Sequence, residues 1–149
     1  MEENEMICML FGHRDAPCEI KSVLKEKILE IYTKHHEVEF YIGNNGAFDA
    51  LAQRCLNEVN TDGVEIEYSI ILSRVDEVAL CKNNSKTLYP DGQEKALRKY
   101  AISKRNDWMI KKADIAICYV SNRFTNCYKM LERLRRKGVH IINISDLVL

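Results

Sequence analysis

The sequence predicts a single α/β domain over residues 1–149, three layers deep, around a mostly parallel five-stranded sheet. Five short apolar runs alternate with longer stretches whose apolar residues recur at helical spacing. One run, 113–120, is continuously apolar at its centre (Ile115, Ala116, Ile117, Cys118), as a strand buried on both faces requires. Three polar, turn-forming loops follow three of these strands, so all three leave the same edge of the sheet, where such folds hold their ligands.

The first strand, 6–10, leads into Phe11-Gly12-His13-Arg14-Asp15-Ala16-Pro17. A helix that starts after such a turn offers amides without partners and the positive end of its dipole, which together suit an anion. Gly12 lets the backbone turn closely, and His13 and Arg14 add donors for phosphate or ribose. The first helix is expected over 18–35, with Ile20, Leu24, Ile28 and Ile31 on one stripe; His35 and His36 close it, where a cation complements the dipole.

The second strand, 38–42, is rich in β-branched and aromatic residues and ends in Gly43-Asn44-Asn45-Gly46-Ala47-Phe48-Asp49, a second glycine loop. The second helix carries Phe48, Leu51, Ala52, Cys55, Leu56 and Val59 and stops at 60–63. A third strand is predicted over 64–72, followed by a long irregular stretch, 73–93, of the kind that serves as a binding loop or is simply mobile. A helix over 94–112, the fourth strand at 113–120 and the third loop, Ser121-Asn122-Arg123-Phe124-Thr125-Asn126, come next. The last helix runs to Lys137, Gly138 ends it, and 139–144 forms the fifth strand.

Composition narrows the function. The chain has 46% hydrophobic and 30% charged residues, as expected of a globular protein, with 22 basic and 22 acidic residues for a net charge of zero. That balance argues against a general nucleic-acid binder. No apolar run approaches bilayer length and the acidic N-terminus does not resemble a signal peptide, so the expectation is a cytoplasmic protein without membrane contact. Cys8, Cys18, Cys55, Cys81, Cys118 and Cys127 form no CxxC pair, and the four histidines complete no zinc pattern around them. They are read chiefly as small buried hydrophobes, with Cys127 near a proposed ligand loop; no metal and no cofactor is expected.

Gly12-His13-Arg14, Gly43-x-x-Gly46-x-x-Asp49 and Arg105-Asn106-x-Trp108-Met109, in this order and spacing, resemble the YpsA-like branch of the SLOG superfamily. This Rossmann-like group also holds the LOG phosphoribohydrolases and DprA. The resemblance implies a nucleotide-type ligand, a nucleoside phosphate or an ADP-ribose-like molecule, held by Gly12, His13, Arg14, Gly43, Gly46, Asp49, Arg105, Asn106, Ser121, Asn122 and Thr125. Homo-oligomers are expected by analogy with isolated domains of this group. LOG enzymes carry Pro-Gly-Gly-x-Gly-Thr-x-x-Glu after the fourth strand. With their Thr placed on Thr125, Ser121 and Asn122 replace the paired glycines, Phe124 the third, and Tyr128 the glutamate. Phosphoribohydrolase activity of that type is therefore not expected, and no catalytic residue is assigned.

Each candidate has a plainer role beside it. Arg14 suits a phosphate or pairs with Asp15 or Glu19; His13 contacts ligand or caps the helix; Asp49 takes a ribose hydroxyl or complements the dipole of the second helix. Arg105 and Asn106 sit in a basic run that otherwise reads as a solvated face, and Trp108 reads as core. Three functions follow: binding or sensing of a nucleotide-derived molecule, hydrolysis of a nucleotide or N-glycosidic bond with Asp49 as the better-placed carboxylate over Glu132, and a protein-interaction module whose pocket has degenerated.

Overall fold

Strand β1 (Met6–Gly12) lies at the centre of the sheet because both its edges are paired. The computed structural model describes residues 6–80 and 86–148. On one side of β1 the order continues through β2 (Val38–Ile42), β3 (Glu67–Ile71) and a two-residue β4 (Thr87–Leu88); on the other it continues through β5 (Ile115–Tyr119) and β6 (His140–Asn143). Every pairing is parallel. The α/β class expected from the sequence holds, with six strands in place of five. The sixth, β4, falls inside the predicted irregular stretch; two residues are too few for a periodic signal.

Parallel strands need crossovers, and the helices that supply them cover both faces. Helices α1 (Lys21–Lys34) and α2 (Ala47–Thr61) pack Leu24, Ile28, Leu51 and Leu56 against one face. Helices α3 (Ala101–Lys112) and α4 (Asn126–Lys137) pack Met109, Ile110, Leu131 and Leu134 against the other. All five β2 residues are buried, as is the core of β5, so their apolar runs answer to two covered faces. The buried charge this creates at Glu39 is met by Ser69 Oγ at 2.6 Å and Lys86 Nζ at 3.1 Å.

The predicted helix over 94–112 is shorter than its pattern. Ala96 and Leu97 are extended (ψ 138° and 147°) and divide a first 3₁₀ turn, Gln93–Lys95, from a second, Arg98–Tyr100, that leads directly into α3. Leu97 is 64% exposed, so the apolar residue that prolonged the periodicity has no core to join. Cys8, Cys55 and Cys118 are buried, Cys127 is half-buried and Cys18 is exposed; Cys81 lies outside the described residues. No helix among the described residues is long and apolar enough to cross a membrane, and no group of three or more His, Cys, Asp or Glu is placed there to hold a metal ion.

From β1 the chain moves outward to β2, β3 and β4, then crosses back to β5 beside β1. The loops after β1 and β5 therefore leave adjacent strands in opposite directions and open a crevice between them.

Candidate functional site

The crevice holds a cavity of about 520 Å³, walled by the loop after β1, the loop after β2, the inner face of α3 and the first turn of α4. Of the residues expected to bind ligand, Gly12, His13, Arg14, Gly43, Asp49, Arg105, Asn106 and Thr125 line it; Gly46, Ser121 and Asn122 do not.

His13 is buried, and its ring neither caps α1 nor projects freely. Nε2 accepts hydrogen bonds from the amides of Ser121 (2.9 Å) and Asn122 (3.2 Å), which places the ring proton on Nδ1. It thus ties the loop after β1 to the loop after β5 across the crevice. The residues standing where LOG enzymes have paired glycines are exposed and serve through their backbone; Asn122 Oδ1 also accepts the Phe124 amide.

Glycine is required where the loops approach one another. A Cβ on Gly43 would lie 2.5 Å from Arg105 Nη1 and 2.7 Å from Asp49 Oδ2. Gly46 has φ +105° and caps α2, and its Cβ would sit 2.9 Å from the Arg14 Cα. That close passage lets the Ala47 amide donate to the Arg14 carbonyl at 2.8 Å.

Two opposite charges form the floor. Arg105, expected from the sequence to bind ligand within a basic run that otherwise reads as a solvated face, is only 3% exposed. Its Nη1 donates to the Ile71 carbonyl at the end of β3 and its Nε to Asn106 Oδ1. Asp49 is also buried, and its Oδ2 accepts the Asn45 amide at 2.9 Å. Burial pushes the Asp49 carboxyl up to about 6, against the pull of Arg105, the Asn45 amide and Arg14. Burial likewise lowers Arg105, opposed by Asp49 and Glu77. Glu77 lies behind them. Burial raises it, but the Ser73 amide and hydroxyl, the Asn45 side chain and the Arg74 amide outweigh that and leave it below the usual carboxylate range.

The rim carries the free positive groups. Arg14 is exposed and makes no ion pair with Asp15, Glu19 or any other described residue. At α4, Thr125 Oγ1 accepts the Tyr128 amide, while Asn126 and Cys127, which line the cavity, are first-turn residues whose amides have no intrahelical acceptor. At α2 the corresponding end is already answered by Asp49 and the Arg14 carbonyl. Arg14 and the start of α4 are therefore the cavity-lining groups with donor capacity left for an anion.

Sequence reading passed over Asn45, whose Oδ1 is buried and has no hydrogen-bond partner among the described residues. Its position between Gly43 and Gly46 was the available signal. Cys127 does line the cavity, but burial pushes its thiol up to about 11, so it stays protonated and weakly nucleophilic. Glu132 lies outside the cavity and pairs with Arg135. Trp108 is half-buried, stacked on Tyr41 with ring centres 5.5 Å apart.

No family model matches the chain, and no curated protein matches it in sequence. Among solved structures it is similar to DNA processing protein A from Helicobacter pylori, solved for its unique single-stranded DNA binding mode, with a TM-score of 0.65 at 11% identity. The match covers 91% of this chain and 63% of that one, so the present chain spans under two thirds of its neighbour. At that identity the likeness shows the fold, a Rossmann-like one shared with DprA. It also corrects one expectation: the absence of general nucleic-acid binding was inferred from a net charge of zero, and the same fold in the neighbour belongs to a single-stranded DNA binder. Net charge sums over the whole surface, whereas a strand touches one part of it.

Proposed function

We propose that the protein binds or senses a nucleotide unit at the β1–β5 crevice, as the resemblance to YpsA-like members of the SLOG group implies. One observation carries the reading. A single cavity of about 520 Å³, within the usual size for small ligands, brings the exposed Arg14 and the start of α4 together with the buried Asp49 and Arg105. Arg14 and the open amides of α4 suit a phosphate; Asp49 and the unpartnered Asn45 Oδ1 suit hydroxyl or amine donors. Binding without turnover fits the same residues. The cavity thiol is protonated, Glu132 is outside, and Asp49 is engaged by the Asn45 amide and the field of Arg105.

A second reading, in which the nucleotide unit belongs to a strand and the chain is a macromolecule-binding module, is favoured by the structural neighbour's single-stranded DNA binding mode. One experiment tests both: thermal shift of wild type and Arg14→Ala with nucleoside phosphates, ADP-ribose and a short oligonucleotide. Ligand at about 100 times its dissociation constant adds about 2.7 kcal/mol of apparent stability. A wild-type shift with a mononucleotide or ADP-ribose that Arg14→Ala abolishes supports the first reading. A shift with the oligonucleotide alone transfers support to the second. No shift with any of them overturns the cavity as a nucleotide site.

A further inference from the structure

Charge is segregated along this chain. Residues 98–137, which contain α3, β5 and α4, hold twelve Lys and Arg against three acids, Asp107, Asp114 and Glu132; the remaining residues hold ten basic and nineteen acidic side chains. A net charge of zero therefore conceals one strongly cationic stretch, and the fold puts both of its helices on one face of the sheet.

The two helices each precede a strand of a parallel sheet and so run in the same direction. Arg133 pairs with Asp107 across the seam between them, and Lys137 Nζ reaches the carbonyls of Ile110, Lys111 and Ala113. With that register, Lys129, Arg133 and Arg136 recur at i, i+4 and i+7 on α4, beside Lys104 and Lys111 at i and i+7 on α3. Lys104, Lys111, Lys129 and Arg136 are exposed and pair with no acid among the described residues.

Helix stability does not account for this pattern. Cations in the last turns, such as Lys111 and Arg136, complement the dipole. Lys104 and Lys129 do the reverse, each standing fourth in its helix, and neither helix has an acid in its first turn. Two helices that both forgo their stabilising acids and carry cations there are better explained by something the cations bind.

We propose that the α3–α4 seam is a nucleic-acid-binding face that holds the phosphodiester backbone of a strand. The unpaired charges Lys129 and Arg136 stand about 10 Å apart along α4, as Lys104 and Lys111 do along α3, with the Arg133–Asp107 pair between them, and each helix offers about 18 Å of length. A linear polyanion with one charge per repeat meets such a row; the irregular carboxylates of a folded protein do not. The proposal stands apart from the cavity, because none of Lys104, Lys111, Lys129 and Arg136 lines it.

The test is fluorescence anisotropy of a labelled oligothymidylate of about 20 residues, with wild type, Lys104→Gln/Lys129→Gln/Arg136→Gln and Arg14→Ala, across about 50–200 mM salt. Each phosphate contact on a single strand contributes about 0.7 to the slope of log affinity against log salt. The triple variant should lower that slope by about 2 and weaken binding tenfold or more at low salt, while Arg14→Ala binds as wild type does. The proposal is overturned if wild type shows no salt-dependent binding, if the triple variant binds like wild type, or if binding is lost with Arg14→Ala instead. Competition by polyglutamate as effective as by unlabelled oligonucleotide also overturns it, in favour of an acidic protein partner.

Discussion

Asp49 shows at the scale of one residue how the site sets its own chemistry. Its carboxyl stands at about 6 in the fold against 3.8 when exposed, chiefly because burial penalises the anion. A group that holds its proton more tightly in the folded state favours folding at low pH, and that advantage is lost as pH rises from about 4 through about 6. A shift of this size corresponds to at most about 3 kcal/mol. Asp49→Asn removes the titration, so its unfolding free energy by urea should gain on wild type by up to that amount between pH 4 and pH 7. Parallel profiles for the two proteins would show that Asp49 is ionised in the fold throughout. Glu77, held below the usual range by its hydrogen bonds, has the opposite dependence and is common to both proteins. The sequence marked Asp49 and Arg105 as candidates but not their burial, because nothing in a basic run such as Lys104-Arg105 announces that one guanidinium turns inward to the end of β3. His13 was legible as a loop donor, yet it serves as an acceptor for two amides more than a hundred residues away.

Among the elements, α3 and α4 are joined by Lys137 as well as by the Arg133–Asp107 pair. Lys137 Nζ donates to three carbonyls at the end of α3, at 2.8–2.9 Å, and so completes the cap that α3 lacks in its own sequence. Lys137→Met keeps most of the stem and removes the charge. It should cost about 1–3 kcal/mol in urea unfolding, the range for leaving such groups without their charged partner. A cost below about 0.3 kcal/mol would mean that water replaces the ammonium without loss. This tie was invisible to periodicity, which sees Lys137 only as a cation in the last turn of its own helix. What periodicity does see are strands and helices of four or more residues with one consistent environment, which is why β1, β2, β5 and α2 were legible. It failed at β4, two residues long, and at the 3₁₀ turns before α3, where an exposed Leu97 imitates a core position.

For the molecule as a whole, topology puts a crevice at the β1–β5 junction and charge puts a cationic layer on one face, and the two have different stability consequences. The cavity loops are mutually braced by His13, Gly43 and Gly46. The cationic layer is braced by the Arg133–Asp107 and Arg135–Glu132 pairs and by the Lys137 tie. Its exposed charges repel one another within the layer, over distances shorter than or close to the roughly 10 Å screening length at 0.1 M salt. Opposite charges across the three layers lie farther apart and are screened more. Rising salt should therefore stabilise the wild-type fold. Lys129 and Arg136 each stand one turn from Arg133 but also from Glu132, and Lys104 stands one turn from Asp107. The gain of Lys104→Gln/Lys129→Gln/Arg136→Gln over wild type at low salt should therefore be the net of these pairs and the repulsion across the seam, a few tenths of a kcal/mol. The difference should shrink toward zero by about 0.5 M salt, as screening removes the repulsion it measures. Thermal unfolding of both proteins across that range decides the matter. If the variant is less stable than wild type at low salt, the cations are serving the fold. If it is more stable, the layer holds its charge against the interest of folding, as a binding surface does.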